Sequence, residues 1–268
     1  MNNANKISIL MGAYNCEHTL AKAIESIINQ TYQNWEFIVC DDASRDNTWD
    51  IIQRYAKLDP RIIPIQNEKN KGLAATLNEC SKYAVGEYIG RQDADDTSVP
   101  DRLEKQMNYL LAHPEIDVLS SNAHLCDENG NIWGERISSQ NIKKTDWARG
   151  SQIIHACVVM KTSILNKANG YDAKALRVED YDLWMRIIAM GGKIANLPEK
   201  LYTIQWSFKD YRRKRRQDRF REIKYKVKGM LLNKMPLWSY IFVMKSLVVI
   251  LMPNFLLYKY HTIKMNKR

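Results

Sequence analysis

Asp93, Asp95 and Asp96 fall within four residues of a segment that reads Gly-Arg-Gln-Asp-Ala-Asp-Asp-Thr-Ser-Val-Pro-Asp-Arg-Leu from Gly90 to Leu103. Carboxylates this close repel one another, and keeping them where a short apolar run opens into a loop calls for a cation to offset the repulsion. A hard divalent ion, held by one or two carboxylates and completed by substrate phosphates, fits that need. The alternative is an acidic turn that caps the following helix, because Ser98 and Asp101 stand at capping-box spacing around Pro100.

The elements that must position this loop are legible as alternating periods. Through the first 120 residues, apolar runs of strand length alternate with segments of helical period, the mark of βαβ units and a largely parallel sheet. Strands are predicted at Ile7–Met11, Trp35–Cys40, Ile62–Gln66, Tyr88–Gln92 and Asp117–Ser121. Helices are predicted at Thr19–Asn29, Asn47–Lys57, capped by Asp46 or Asn47, at Gly72–Ala84 and at Pro100–His113. The second half is less regular, with strands expected at Ala156–Lys161 and Lys193–Leu197 and a helix at Tyr181–Met190. In an open parallel sheet ligands bind outside the carboxyl ends of the strands. Here those ends carry Tyr14, Asp42 and the Asp93–Asp96 loop.

Bulk properties narrow the class. A chain of 268 residues with 45% hydrophobic content can bury a full core. Its five cysteines are scattered without a Cys-x-x-Cys pair, which suggests neither a disulfide framework nor a zinc site and fits a reducing cytoplasm. Met1–Lys6 is polar and leads straight into a strand, without the pattern of a secretory signal. Residues 1–208 hold 23 Lys and Arg against 27 Asp and Glu, net −4, while residues 209–268 hold 17 against 3, net +14. An acidic body with a basic tail points to a domain tethered to something anionic.

The motifs Ile-Ser-Ile-Leu-Met-Gly-Ala-Tyr-Asn (7–15), Ile-Ile-Asn-Gln-Thr-Tyr-Gln-Asn-Trp-Glu-Phe-Ile-Val-Cys-Asp-Asp-Ala-Ser (27–44), Gly-Leu-Ala-Ala-Thr-Leu-Asn (72–78), Gly-Glu-Tyr-Ile (86–89), the Asp-Ala-Asp-Asp loop and Glu-Asp-Tyr-Asp-Leu-Trp-Met-Arg (179–186) together resemble the family 2 glycosyltransferases over roughly residues 5 to 205. That resemblance implies an α/β GT-A fold, an α/β/α sandwich around a mostly parallel sheet, with residues 1–208 as the catalytic domain. Its donor-binding half would be about 5–120 and its acceptor half about 121–208. It also implies a nucleotide-diphosphate sugar donor, inversion at the anomeric carbon and a Mg²⁺ or Mn²⁺ cofactor. Carried over by position, Tyr14 packs on the nucleobase, Asp42 accepts from its imide, Asp93 approaches the ribose or the metal, and Asp95 ligates the metal. Asp180 is the catalytic base.

The chemistry agrees with those roles. A metal ion stabilises the leaving diphosphate as a Lewis acid, and a carboxylate opposite it takes the acceptor hydroxyl's proton. Glu179 and Asp182 beside Asp180 raise its pKa above a reference of about 3.9. The alternative there is a helix N-terminus made acidic by the macrodipole. Glu179, His155 and Trp184 are acceptor-side candidates, set against purely structural roles for the histidine and the tryptophan. Lys71, Gly72 and Asn78 are weaker donor-side candidates. Many relatives carry a Tyr-Arg-x-His pattern after the last core strand; here that stretch reads Tyr202-Thr203-Ile204-Gln205, so metal coordination rests on Asp95. A uridine donor is preferred, with thymidine-linked deoxysugars the runner-up because both pyrimidines offer the same imide edge to Asp42.

Lys209–Lys234 holds twelve basic residues against three acidic ones, and an apolar stretch follows from Leu237 to Tyr258, broken by Lys245 and Pro253. It is a marginal spanning segment. The expectation is a basic amphipathic appendage over 209–268, with Trp238, Tyr240, Tyr258 and Tyr260 at headgroup level, holding a cytoplasmic enzyme peripherally on the inner face of the plasma membrane. Such a place suits a lipid-linked saccharide acceptor. The alternative is a helix that closes over the catalytic domain. Two other functions were weighed. A nucleic-acid-binding module using the Arg-rich tail would leave the apolar stretch unexplained and has no aromatic RNA-reading motif, so no nucleic-acid partner is expected. A nucleotidyltransferase on this fold needs a Gly-rich, Lys- or Arg-bearing phosphate loop, which Gly12-Ala13-Tyr14-Asn15 lacks.

Overall fold

Two-residue alternation along the first strand sorts the core onto the two faces of one sheet. In β1 (Ile7–Ala13), Ile7, Ile9 and Met11 pack into one apolar cluster and Leu10 into the other. In β2 (Trp35–Asp41), Phe37 and Val39 join the first cluster and Ile38 and Cys40 the second. The computed structural model describes residues 4–206 and 216–251, together with Leu256 and Lys259. Its first half is a run of βαβ units. Helix α1 (Leu20–Ile28) precedes β2; α2 (Thr48–Leu58), β3 (Ile62–Gln66), α3 (Leu73–Ser81) and β4 (Tyr88–Arg91) follow it.

The order β3-β2-β1-β4 is parallel throughout, as the apolar runs predict. Beyond β4 the sheet becomes mixed. Short β5 (Thr97–Ser98) and α4 (Arg102–Ala112) lead to β6 (Val118–Cys126), β7 (Ile132–Arg136), β8 (Val159–Lys161) and α5 (Thr162–Lys167). Helix α6 (Glu179–Ala189) and β9 (Ile194–Gln205) complete the body. The nine-stranded sheet runs β3-β2-β1-β4-β8-β6-β9-β5, with β7 on β6. Strand β8 is antiparallel to β4 and to β6, while β9 is parallel to β6.

Helices cover both faces. Residues of α1 and α4 complete one cluster, and residues of α3 and α6 complete the other. The tail differs from expectation. Helix α7 (Arg216–Leu232) is not a free amphipathic segment but packs on α6. Met230 and Met235 are core residues, the Lys228 ammonium donates to Asp182 at 3.0 Å, and the Asn233 amide donates to the Met185 carbonyl at 2.9 Å. A turn at Leu237–Tyr240 then leads into α8 (Ile241–Leu251). Among the described residues no helix is long and apolar enough to cross a membrane. The expected headgroup residues Tyr258 and Tyr260, with Pro253 and Lys209–Arg215, lie outside the described residues.

The β1–β2–β4 junction tolerates little added volume. Glu36, buried in β2, accepts from the Ser8 hydroxyl, the Val85 amide and the Lys6 ammonium, and the Gly86 amide donates to Ser8 Oγ at 2.8 Å. A Cβ at Gly86 would lie 2.6 Å from the Lys6 carbonyl and 2.8 Å from the Ser8 amide nitrogen, both backbone. Gly86→Ala is therefore expected to cost about 1–3 kcal/mol, read as a lower urea midpoint at unchanged m-value.

Candidate active site

Two loops at the carboxyl ends of β1 and β2 are bonded into one platform. The Asn15 amide donates to Ser44 Oγ at 2.9 Å, and Asn15 Oδ1 accepts from the Arg45 amide at 2.8 Å. The Cys16 amide donates to Thr48 Oγ1 at 2.9 Å, and Glu17 Oε2 accepts from the Asn47 amide at 3.1 Å. Of the two residues expected to cap α2, Asn47 holds the N-cap position without a side-chain cap bond, while the Asp46 carboxylate accepts from the Thr48 amide at 3.1 Å. The chain turns sharply here, with left-handed backbone at Asn15 (φ 47°) and Ala43 (φ 59°). Tyr14, on this platform, is 47% exposed, so its ring is free to meet a ligand.

Asp42 is buried and already well used. Its Oδ1 accepts from the Asn67 side chain and the Lys71 amide, and its Oδ2 from the Gly72 amide, each at 2.8 Å. A carboxylate offers about four acceptor positions, so Asp42 first organises the loop entering α3 and keeps one position on Oδ2. Lys71 and Gly72 thus take part through their backbone amides, with Gly72 in left-handed backbone at φ 81°. Asp41 accepts from the Ser44 amide and from the Gln66 side chain, which places it in a structural turn.

The acidic loop is built around a buried cation. Arg91, at the end of β4, is fully buried; its Nη1 donates to the Leu10 carbonyl at 2.8 Å and its Nη2 pairs with Asp93 Oδ1. The Asp93 amide donates to the Tyr202 hydroxyl at 3.0 Å. Asp96 is buried and accepts from the Gln205 amide at 2.9 Å. Burial, with Asp95 and Asp93 beside it, pushes the Asp96 carboxyl well above the usual carboxylate range. Asp95 is the exposed carboxylate of the three. Gln205 therefore meets the loop through its backbone, in the stretch where relatives carry their histidine. The capping reading of this loop fails: Asp101 makes no side-chain cap at α4 but pairs with Lys105 at 2.7 Å, and Ser98 Oγ donates to Gln92 Oε1 at 2.7 Å.

The third component arrives from the other half of the chain. Asn78, in α3, does not bond locally as a mid-helix asparagine would: its Oδ1 accepts from the Tyr171 amide at 2.8 Å and its Nδ2 donates to the Tyr171 carbonyl at 2.7 Å. That grip brings the segment leading to α6 against the α3 end of the platform, where a Cβ on Gly72 would lie 3.7 Å from Leu176 Cδ2. The fully buried Tyr171 hydroxyl stands in the combined field of Arg91, Asp180, Glu179 and Asp93. Carboxylates of the acidic loop and of the first turn of α6 thus both act on one buried hydroxyl. Glu179, half-buried with Oε2 unpartnered, is pushed up to about 7 by burial and then by Asp180, with Arg91 opposing. Asp180 Oδ1 accepts from the Tyr181 amide at 2.6 Å in the first turn of α6. Asp182 faces away, paired with Arg186 at 2.7 Å and Lys228 at 3.0 Å.

Two acceptor-side candidates are corrected. Trp184 is fully buried in the core and has no face for a sugar. His155 lies beneath the site: its Nε2 is 2.9 Å from the Tyr171 hydroxyl and its ring stands edge-on to Trp184, while burial and Arg91 hold it neutral. Sequence reasoning missed Arg91, Tyr171 and Tyr202. An arginine closing an otherwise apolar strand two residues before Asp93 was the available signal. Among the described residues no three His, Cys, Asp or Glu side chains gather as a metal cage.

Comparison with known proteins agrees with this geometry. The family model described as glycosyl transferase family 2 matches residues 8–168. The putative glycosyltransferase EpsE of Bacillus subtilis is 39% identical over 271 residues, covering 97% of this chain and 95% of its own length. The Escherichia coli UDP-Glc:alpha-D-GlcNAc-diphosphoundecaprenol beta-1,3-glucosyltransferase WfgD is 35% identical over 182 residues, covering 68% of this chain and 69% of its own. Residues 1–349 of Staphylococcus aureus TarS, solved with UDP-GlcNAc, superpose with a TM-score of 0.64 at 18% identity, over 85% of this chain and 70% of that one. The Pyrobaculum calidifontis mannosyltransferase PcManGT, solved with GDP-Man and Mn²⁺, gives 0.63 at 18% identity, over 92% and 70%. By its motifs, its GT-A fold and these relatives, the chain belongs to glycosyltransferase family 2.

Proposed function

We propose that this enzyme inverts the anomeric centre of a nucleotide-diphosphate sugar, a uridine diphosphate sugar first, and transfers the sugar to a lipid-linked saccharide during polysaccharide assembly. The observation that carries the reading is the pair of hydrogen bonds by which Asn78 holds the Tyr171 backbone, which seats the segment leading to Glu179 and Asp180 against the α3 end of the platform, at the carboxyl end of the parallel sheet. The printed name of WfgD, with its UDP-glucose donor and undecaprenol-linked acceptor, supports the choice of substrates. Tyr14 offers its exposed ring to the base, and the open position on Asp42 Oδ2 suits the imide. Asp95, with Asp93 behind it, would hold Mg²⁺ or Mn²⁺ against the donor diphosphate, and the ion when bound offsets the charge of the leaving group. Asp180 accepts the proton of the attacking hydroxyl. Glu179 beside it raises the basicity of the pair by like-charge repulsion.

A membrane-facing surface fits such an acceptor. Leu237, Trp238, Ile241 and Met244 are 88%, 59%, 65% and 61% exposed; Leu237, Ile241 and Met244 share one helical face. Phe242 and Val243 turn inward onto the core, as does Tyr240, expected at headgroup level. Lys224, Lys228 and Lys234 are exposed nearby in sequence. The Tyr181 hydroxyl, next to Asp180, donates to the Trp147 carbonyl at 2.9 Å, and Arg149 of the same turn lies over the Phe242 ring at 5.1 Å. The apolar face is therefore connected to the base helix through a single turn. On this reading the enzyme works peripherally at the cytoplasmic face of the plasma membrane.

Four outcomes are expected. Asp180→Asn should lower turnover by about 10²-fold or more while nucleotide affinity stays near wild type; unchanged turnover rejects Asp180 as the base. UDP with Mn²⁺ should raise the melting temperature by mass action, and Asp95→Ala should lose the metal-dependent part of that rise. Glu179 has a folded-state pKa raised above its unfolded value, so the stability it contributes is fully present below about 4.5 and is lost as pH rises through about 7. Melting curves should accordingly show wild type losing stability relative to Glu179→Gln across that window. Finally, co-flotation with vesicles containing anionic lipid should drop in a Trp238→Ser/Ile241→Ser/Met244→Ser variant, with transfer to a short soluble acceptor retained.

A further inference from the structure

Two tryptophans stack across β6, one of them on the strand that bonds the acidic loop. The rings of Trp133, in β7, and Trp206, directly after β9, lie with centroids 5.5 Å apart and planes 19° from parallel, and both residues are half-buried. Each is placed by its backbone. The β6–β7 ladder pairs Leu125 with Gly134 and then Cys126 with Ile132, which leaves Trp133 as the extra residue of a bulge. A bulge re-aims a side chain out of the regular alternation. The turn before it is pinned by Asp127, whose Oδ1 accepts from the Asn129 and Asn131 amides, each at 2.9 Å. Trp206 continues the β9 ladder, its amide donating to the Cys126 carbonyl at 2.9 Å.

The stack is tied to the acidic loop by two hydrogen bonds of the same strand. The Asp93 amide donates to the Tyr202 hydroxyl at 3.0 Å, and the Gln205 amide, one residue before Trp206, donates to Asp96 Oδ1 at 2.9 Å. Pairing with β6 is regular from Tyr202 to Gln205, so Tyr202, Ile204 and Trp206 project from one face of the strand. Tyr202 and Ile204 pack with Ile154, Ala156 and Cys157, whereas Trp206 is only half-buried. Four residues of strand span about 13 Å, which sets the stack at the reach of a neighbouring sugar, beyond the one that reacts. The nucleobase platform at Tyr14 and Asp42 follows β1 and β2, on the other side of β4 from β6 and β9. From this geometry, and resting on the transferase reading above, we infer that Trp133 and Trp206 form a subsite for a sugar ring of the saccharide acceptor, next to the ring that reacts. The negative π face of an indole attracts the weakly positive C–H bonds on the flat side of a pyranose. A ring held there contributes binding energy from a remote part of the substrate to orientation at the reacting centre. Trp184, enclosed in the core, leaves that role to this pair.

The test follows the indole N–H signals of the full chain by ¹H–¹⁵N NMR, assigned through bonds to their backbone amides. Methyl glycosides of glucose, galactose, mannose and N-acetylglucosamine are added singly after saturation with UDP and Mn²⁺. The Trp133 and Trp206 signals should move together with at least one glycoside, while Trp35, buried at the start of β2, stays in place. Trp206→Ala should weaken binding of that glycoside by about tenfold, and Trp206→Tyr should restore most of it. Indole signals unmoved by all four glycosides overturn the proposal. Signals that move with UDP and Mn²⁺ and no further overturn it in favour of a nucleotide contact. A pair that only braces the sheet would lower the melting temperature in Trp206→Ala at unchanged glycoside affinity, which also overturns it; should that variant fail to fold, the wild-type titration decides. The melting response to UDP and Mn²⁺ is read on the same samples. Silent indoles with that response intact reject the subsite alone, and a missing response with moving indoles rejects the donor reading alone.

Discussion

Mutual repulsion of carboxylates at the mouth of a sheet is the constraint around which this molecule is organised. Asp42, Asp93, Asp95, Asp96, Glu179 and Asp180 come from three separate stretches of chain, and each is stabilised differently. Asp42 accepts from three hydrogen-bond donors, two of them backbone amides. Asp93 has the Arg91 guanidinium. Asp96 is buried and held toward its protonated form. Asp95 is the exposed carboxylate of the loop. The Glu179 carboxyl is pushed up to about 7 by burial and by Asp180 beside it.

The fold supplies the convergence through ordinary parallel-sheet geometry. Strands β2, β1 and β4 are adjacent and parallel, so the loops after them meet at one edge. What is particular to this chain is the grip of Asn78 on the Tyr171 backbone. Two hydrogen bonds across 93 residues of sequence seat the approach to α6 against α3. The hydroxyl of Tyr202 does a similar job for Asp93 from β9. Packing of α7 onto α6 then supports that helix from behind, and Lys228 pairs with Asp182.

Much of this was legible before any coordinates. The first four strands and three helices carry clean periods of two and 3.6, and their ends shift by only one to three residues in the structure. The later elements were harder to read for physical reasons. Strand β9 continues through Pro198, which lacks an N–H; the expected strand stops at Leu197, but the register shifts there and the Asn122 side chain bonds the Pro198 carbonyl at 2.8 Å. Strand β7 is largely exposed and carries little apolar alternation. Among site residues, the acidic loop and the Glu179-Asp180 pair were visible as charge clusters. Arg91 was not, because a lone arginine closing a strand looks like an edge charge until its burial is seen. Trp184 misled in the opposite sense, since an aromatic beside an acidic pair reads as a sugar platform while its place on α6 points into the core.

The central claim is that residues remote in sequence surround one cation-bound diphosphate. Paramagnetic broadening by Mn²⁺·UDP tests it most directly, by NMR of carboxyl-labelled protein. The account predicts that the Asp93, Asp95, Glu179 and Asp180 signals broaden together at substoichiometric Mn²⁺, while Asp59, which precedes β3 at the opposite end of the sheet, stays sharp. Broadening of Asp93 and Asp95 with Glu179 and Asp180 left sharp would contradict it.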